Sequence, residues 1–249
     1  MMQMELVEYE VKQKIAHIRL NHPDKLNAIN LKMFHQLVAV FSRYEKDPEA
    51  WVAIFSGKGR SFCAGHDQKE NAVIAAEDLF LQILNLSKPL IVAVQGHCIG
   101  MALALAFSCD IRIGAEGSQY GWPNVRWGQP SIGGPAFMPH YLPRNYAFEY
   151  MFTGDLINAE EAFRLGLLNR IVPLNKLMAE AEVVARKISK NTPLAVQAMK
   201  EAALLGFDFP MAQRLGVSKI IAQRVAGTED AKEGLRAFIE KRQPVWKGK

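Results

Sequence analysis

The chain has 249 residues, 49% of them hydrophobic and 22% charged, which excludes a disordered or collagen-like chain and provides apolar side chains for a substantial core. Thirty basic residues against twenty-five acidic ones give a formal net charge of +5. That charge would tolerate a phosphorylated small ligand, but it is not gathered into a basic stripe, so nucleic acid is not an expected partner. The N-terminal segment MMQMELVEYEVKQK has neither an apolar secretory core nor a basic amphipathic presequence, and the expected location is cytoplasmic. The most apolar stretch, Cys98 to Phe107, is about half of the roughly 20 residues that a bilayer span needs, so it reads as a buried helix and no membrane association is expected. Cys63, Cys98 and Cys109 lie among small or apolar neighbours without CxxC spacing and read as buried, reduced thiols.

In chain order, Leu6 to Val11 and Lys14 to Leu20 read as a strand hairpin. Leu31 to Tyr44 follows with apolar residues three and four apart, the spacing of an amphipathic helix, and Glu77 to Leu86 repeats it. Val52 to Phe55, Leu90 to Val94 and Ile111 to Ile113 are short strand-like runs bounded by Gly, Pro or charge. From Pro139 onward the strand signals fade and helices are expected over 144–152, 159–166, 174–189, 193–205, 210–225 and 228–241. Asn158 and Thr228 stand at N-cap positions, and Glu161 is spaced as a capping partner for Asn158. The pattern predicts an α/β chain with a helical C-terminal region. No low-complexity linker divides it into independently folding parts.

Two segments carry the candidate chemistry. In the first, Val52 to Phe55 runs into GKGRSFCAGHDQKE, where Gly65 permits an unusual dihedral and exposes the amide of His66. In the second, PLIVAV leads through Gln95 and Gly96 into HCIGMALALAF, where Gly100 precedes an apolar helix and Met101 is the first free amide. Two such amides converging on one carbonyl oxygen would make an oxyanion hole, and helix-terminal N–H groups suit that task because they are oriented toward developing negative charge.

Together these segments resemble the crotonase superfamily, also called the enoyl-CoA hydratase/isomerase family. NHPDKLNAI from Asn21 resembles its first loop, SFCAGHDQKE the first oxyanion segment, and QGHCIGMALALAFSCDIRIGA the second with its buried helix. FTGDLINAEEAFRLGLLNRIVP and AFIEKRQPVW resemble its later helical segments. The resemblance implies a crotonase-like spiral of ββα units over 1–190 and a C-terminal helical trimerisation region over 191–249, giving a homotrimer or a dimer of trimers. It implies a coenzyme A thioester as substrate, coenzyme A entering only as part of that substrate and no separate cofactor. The thioester carbonyl would sit between the amides of His66 and Met101. Backbone at Lys25, Leu26, Ala28 and Ala64, with Gly65, Asp67 and Gly100 shaping the loops, falls where family members hold the coenzyme and its acyl group. Phe238 and Lys241 match terminal-helix residues that reach the nucleotide across a subunit boundary.

The departures from the family pattern bear on mechanism. Family hydratases carry glutamates where this chain has Ala104 and Asn124. Water addition needs a base and an acid within reach of the reacting atoms; alanine supplies neither, and asparagine orients without accepting a proton. Two-glutamate hydration is therefore not expected. Asn124 and Ser131, in QPSIGG, join His66 and Met101 as candidate catalytic residues, and the GHD triplet also occurs in methylmalonyl-CoA decarboxylase-like members. Decarboxylation makes an enolate without removing a carbon-bound proton, which leaves a decarboxylase-like lyase as one alternative; a non-catalytic acyl-CoA-binding relative is another. Other enzyme classes lack their motifs. There is no complete GxSxG, no HExxH among six scattered histidines and hence no expected metal, and neither GxGxxG nor a Walker A loop.

Overall fold

The computed structural model describes residues 5–70 and 75–249. The hairpin forms as β1 (Val7–Lys12) and β2 (Ile15–Leu20), followed by helix α1 (Leu31–Lys46) and strand β3 (Val52–Gly57). Next come α2 (Ala76–Leu84), β4 (Leu90–Val94), β5 (His97–Ile99), α3 (Met101–Ser108), β6 (Ile111–Ala115) and β7 (Gln119–Gly121). The chain continues with α4 (Gly133–Tyr141), α5 (Arg144–Thr153), β8 (Ile157–Asn158), α6 (Ala159–Arg164) and β9 (Arg170–Val172), then α7 (Leu177–Ser189), α8 (Pro193–Gly206), α9 (Met211–Ala226) and α10 (Glu229–Ile239).

The main sheet has the order β1-β2-β3-β4-β6-β9; only the β1–β2 pair is antiparallel. Its central strands are buried on both faces, so they read as continuous apolar runs and not as alternating ones. Ala53, Phe55, Val92 and Val94 point into one core with α1, α2 and α3, while Val52, Ile54, Ile91 and Ala93 point into a second core under α7. A smaller sheet, β5-β7-β8, is extended by single parallel bridges between Cys63 and Cys98 and between Ile29 and His66. This second layer carries the loops in which the sequence places the chemistry.

Several expectations need correction. The apolar run from Cys98 is not one helix: Cys98 and Ile99 belong to β5, and Gly100, at φ 59°, turns the chain before α3 begins at Met101. The amide of Gly100 donates to the Gly121 carbonyl at 2.9 Å, tying this turn to β7. Strands do not end at Pro139 either. β9 pairs with β6 through Ile113 and Arg170, but its three half-buried residues, RIV, leave no periodicity to read. Helix α4 begins in Gly-Gly-Pro and contains Pro139, so local propensity hides it, and burial of Phe137 and Met138 stabilises it. Asn158 and Thr228 do cap their helices, accepting from Glu161 N at 2.8 Å and Ala231 N at 3.2 Å. The Glu161 carboxylate turns instead to Arg164.

The C-terminal tail is fastened by one buried acid. Asp230 accepts hydrogen bonds from Thr192 Oγ1 at 3.0 Å, Lys247 N at 2.8 Å and Gly248 N at 2.9 Å. Trp246 packs over Gly234 and donates from its indole to the Lys190 carbonyl at 2.6 Å. Asp230→Ala removes three bonds and strands a half-buried threonine hydroxyl; limited proteolysis is expected to cut the variant within 243–249 well before the wild-type chain, with the core intact.

Candidate active site

The site begins with a buried amide side chain. Leu26 and Asn27 both take left-handed conformations, φ 51° and 55°, after a 3-10 turn at Pro23–Lys25. Asn27 is wholly buried; its Oδ1 accepts from His22 N, and its Nδ2 donates to the carbonyls of Lys58, Ser61 and Phe62 at 2.9–3.0 Å. Asparagine suits the position because it tolerates the left-handed region and offers both donors and an acceptor. The first loop is thereby clamped to the segment leading into His66. Sequence reasoning placed coenzyme-binding backbone on either side of Asn27 and passed over it, although an asparagine in a loop at the strand-to-helix junction is itself a left-handed signal.

Main-chain pairing then decides which amides remain free. Ala64 N donates to the Leu26 carbonyl at 3.0 Å, Ile29 N to the Gly65 carbonyl at 2.7 Å, and Asp67 N to the Ile29 carbonyl at 2.9 Å. In parallel pairing one residue uses both its groups on the flanking residues of the other strand, so the His66 amide points away from Ile29. It makes no hydrogen bond among the described residues, and neither does the amide of Met101, the first of α3. The two loops meet at Gly65, φ 97°: a Cβ there would lie 2.7 Å from the Ile99 carbonyl oxygen and 3.8 Å from Met101 N. The close approach admits only glycine.

His66, Gly100 and Met101 line a cavity of about 260 Å³ together with Ala76 and Phe80 from α2, Ala104, Trp122, Asn124 and the segment from Pro130 to Gly133. Behind it, Phe107 stacks on Trp122, Phe137 and Tyr141, with ring centres 4.8–5.9 Å apart, and Phe80 meets Phe137 edge-on. Ala104 is small enough for α4 to start against it: a Cβ on Gly133 would sit 2.8 Å from the Ala104 methyl. No carboxylate lines this cavity among the described residues, and His66 is its one titratable side chain. His66 Nε2 is buried without a hydrogen-bond partner.

The candidate residues therefore separate into groups. His66, Met101, Gly100, Asn124 and Ser131 share the cavity wall. Asn124 Oδ1 lies 3.5 Å from where Gly100 would carry a Cβ, and the Asn124 side chain makes no hydrogen bond among the described residues. Ser131 is both a wall residue and a cap, its Oγ accepting from Gly134 N at 3.1 Å. Lys25, Leu26, Ala28, Ala64 and Gly65 are joined by main-chain bonds into the adjoining loop pair, and Asp67 braces it by accepting from Lys69 N at 3.0 Å. Phe238 and Lys241 do not line the cavity; Phe238 is 82% exposed on α10, and Lys241 lies past that helix at φ 53°. Glu70 and His97 turn elsewhere, Glu70 to Leu31 N at the start of α1 and His97 to Ser61. Cys63, under the loop, donates to the Asn27 carbonyl, and burial pushes its thiol up to about 12, which rules it out as a nucleophile near neutral pH.

The sequence profile described as Enoyl-CoA hydratase/isomerase matches residues 10–249. The chain is 34% identical to (E)-benzylidenesuccinyl-CoA hydratase of Thauera aromatica, over 97% of this chain and 99% of that protein. It is 37% identical to carnitinyl-CoA dehydratase of Proteus mirabilis, over 94% and 95%. The crystal structure of enoyl-CoA hydratase from Bacillus anthracis superposes with a TM-score of 0.94 at 30% identity, covering 98% of this chain and all of that one. The crotonase-type α/β spiral expected from the sequence is thus the fold of the chain.

Asn27→Ala leaves three carbonyls and one amide without their partner. A loss of about 2–4 kcal/mol is expected, since each stranded buried group costs about 1–3 kcal/mol and part of this loop can reach water. Urea unfolding followed by tryptophan fluorescence measures it.

Proposed function

Since the chain belongs to the enoyl-CoA hydratase/isomerase family, we propose that it is an acyl-CoA enzyme which holds the thioester oxygen between the amides of His66 and Met101 and works through the enolate so stabilised. The observation that carries this reading is the pair of unpaired main-chain N–H groups on the wall of one cavity. Preoriented donors of this kind are worth most when charge develops in the transition state, and they need no reorganisation as it does. A protein that only bound acyl-CoA would gain little from them. The relatives include a hydratase and a dehydratase, both of the lyase type. Their reactions require proton transfer, and here the candidate for it is the His66 imidazole. Ala104 cannot act, and Asn124 orients a polar group without exchanging a proton.

One alternative has an observation in its favour. Decarboxylation of a malonyl-type thioester breaks the bond between Cα and the carboxylate, releases carbon dioxide and leaves the electron pair in the enolate. A single proton donor then completes the reaction at Cα. A cavity with one titratable side chain and no carboxylate among the described residues meets those needs. In the assembled enzyme, Phe238 and Lys241 would serve the nucleotide of a neighbouring subunit in a trimer or a dimer of trimers, which accounts for their exposure away from their own cavity.

Three outcomes follow from incubating the protein with a panel of acyl-CoA esters and reading products by mass spectrometry. Multiple-turnover conversion of at least one ester is expected, and tight binding without conversion of any would favour the binder. Crotonyl-CoA hydration is expected to be very slow, and family-normal turnover on it would overturn the role assigned to Ala104 and Asn124. Absence of carbon dioxide release from malonyl-type esters removes the decarboxylase alternative. On whichever ester turns over, Gly65→Ala is expected to lower kcat/KM by about 10²–10³, the loss typical of one displaced oxyanion donor. Steady-state kinetics on the folded variant measure it, and a change below threefold would contradict the amide assignment.

A further inference from the structure

Beside its two free amides, the cavity holds more hydrogen-bonding side chains than a thioester carbonyl can use. The Asn124 side chain has no partner among the described residues, Ser131 accepts from Gly134 N yet keeps its hydroxyl proton to donate, and His66 Nε2 is buried and unpaired. A hydrocarbon acyl chain seated there would satisfy none of them and would take from each the water that otherwise serves it. The charge inventory points the same way. Among the described residues no carboxylate lines the cavity to repel an anion, and two helices, α3 and α4, begin at its wall with Met101 and Gly133, so the positive ends of both dipoles face it. The cavity also opens to water past the exposed Ile132, 66% accessible, so an anion at its mouth is not fully desolvated.

We propose that the acyl group taken by this enzyme carries a carboxylate beyond the thioester carbonyl, received by the Asn124 amide and the Ser131 hydroxyl at the start of α4. The proposal rests on the thioester reading above and adds to it the class of acyl group. Within it, the replacement of a glutamate pattern by Ala104 and Asn124 acquires a binding role: asparagine donates a hydrogen bond to an anion that glutamate would repel.

Isothermal titration of the intact protein with butyryl-CoA, succinyl-CoA and malonyl-CoA tests this. At least one carboxylated ester is expected to bind ten times or more tightly than butyryl-CoA. Asn124→Asp keeps the side chain's shape and adds one negative charge; in that variant the ratio is expected to fall to about one or below, with Asn124→Leu giving an intermediate loss. Wild-type affinities for both carboxylated esters no better than for butyryl-CoA would overturn the carboxylate while leaving the thioester reading in place. A preference that survives Asn124→Asp would overturn the assignment to Asn124. Failure of all three esters to bind would overturn the thioester reading and this proposal with it.

Discussion

The site depends on a property of parallel strand pairing: a bridging residue spends its hydrogen bonds on alternate neighbours, so the residue opposite keeps its own amide. Ile29 takes the Gly65 carbonyl and the Asp67 amide and thereby leaves His66 N–H unspent. At the second loop the same outcome has another cause. The first amides of any helix lack an intrahelical acceptor, and Gly100 starts α3 so that Met101 is the first of them. Neither amide owes its freedom to a side chain. The chemistry expected of the site could therefore survive wide change in the residues around it.

What the side chains do is hold the two main-chain segments in place. Asn27 fixes the first loop through four bonds, and parallel main-chain pairing of Cys63 with Cys98 joins the segment before His66 to β5. The ring stack of Phe107, Trp122, Phe137 and Tyr141 stiffens the far wall. Small residues set the spacing: Gly65 lets the loops meet, and Ala104 lets α4 begin against α3. Among the described residues, the wall of the resulting cavity carries one imidazole, one carboxamide and one hydroxyl beside the two free N–H groups, and no carboxylate. That environment distinguishes this chain from a site built around paired carboxylates.

Much of this was legible in the residues. The hairpin, the central strands and the long amphipathic helices follow from periodicity because each presents a regular apolar face to a core. His66 and Met101 stand out because each follows a glycine in the segment into which a strand-like run leads. Other features had no local signature. β8 and β9 are two- and three-residue strands whose existence depends on a partner edge, and α4 forms from residues of poor helix propensity because tertiary burial outweighs it. The run from Cys98 misled because apolarity alone does not separate a short buried strand from the helix that follows it. Asn27 was passed over because its importance lies in four partners distributed over forty residues of chain.

The account turns on polarisation of a thioester carbonyl by two backbone amides, and vibrational spectroscopy observes that directly. In isotope-edited infrared difference spectra of the protein with an acyl-CoA labelled by carbon-13 at the thioester carbonyl, the bound C=O stretch is expected to move to a distinctly lower wavenumber than in free solution. A bound carbonyl that absorbs at its solution position, with the ester demonstrably in the cavity, would contradict it.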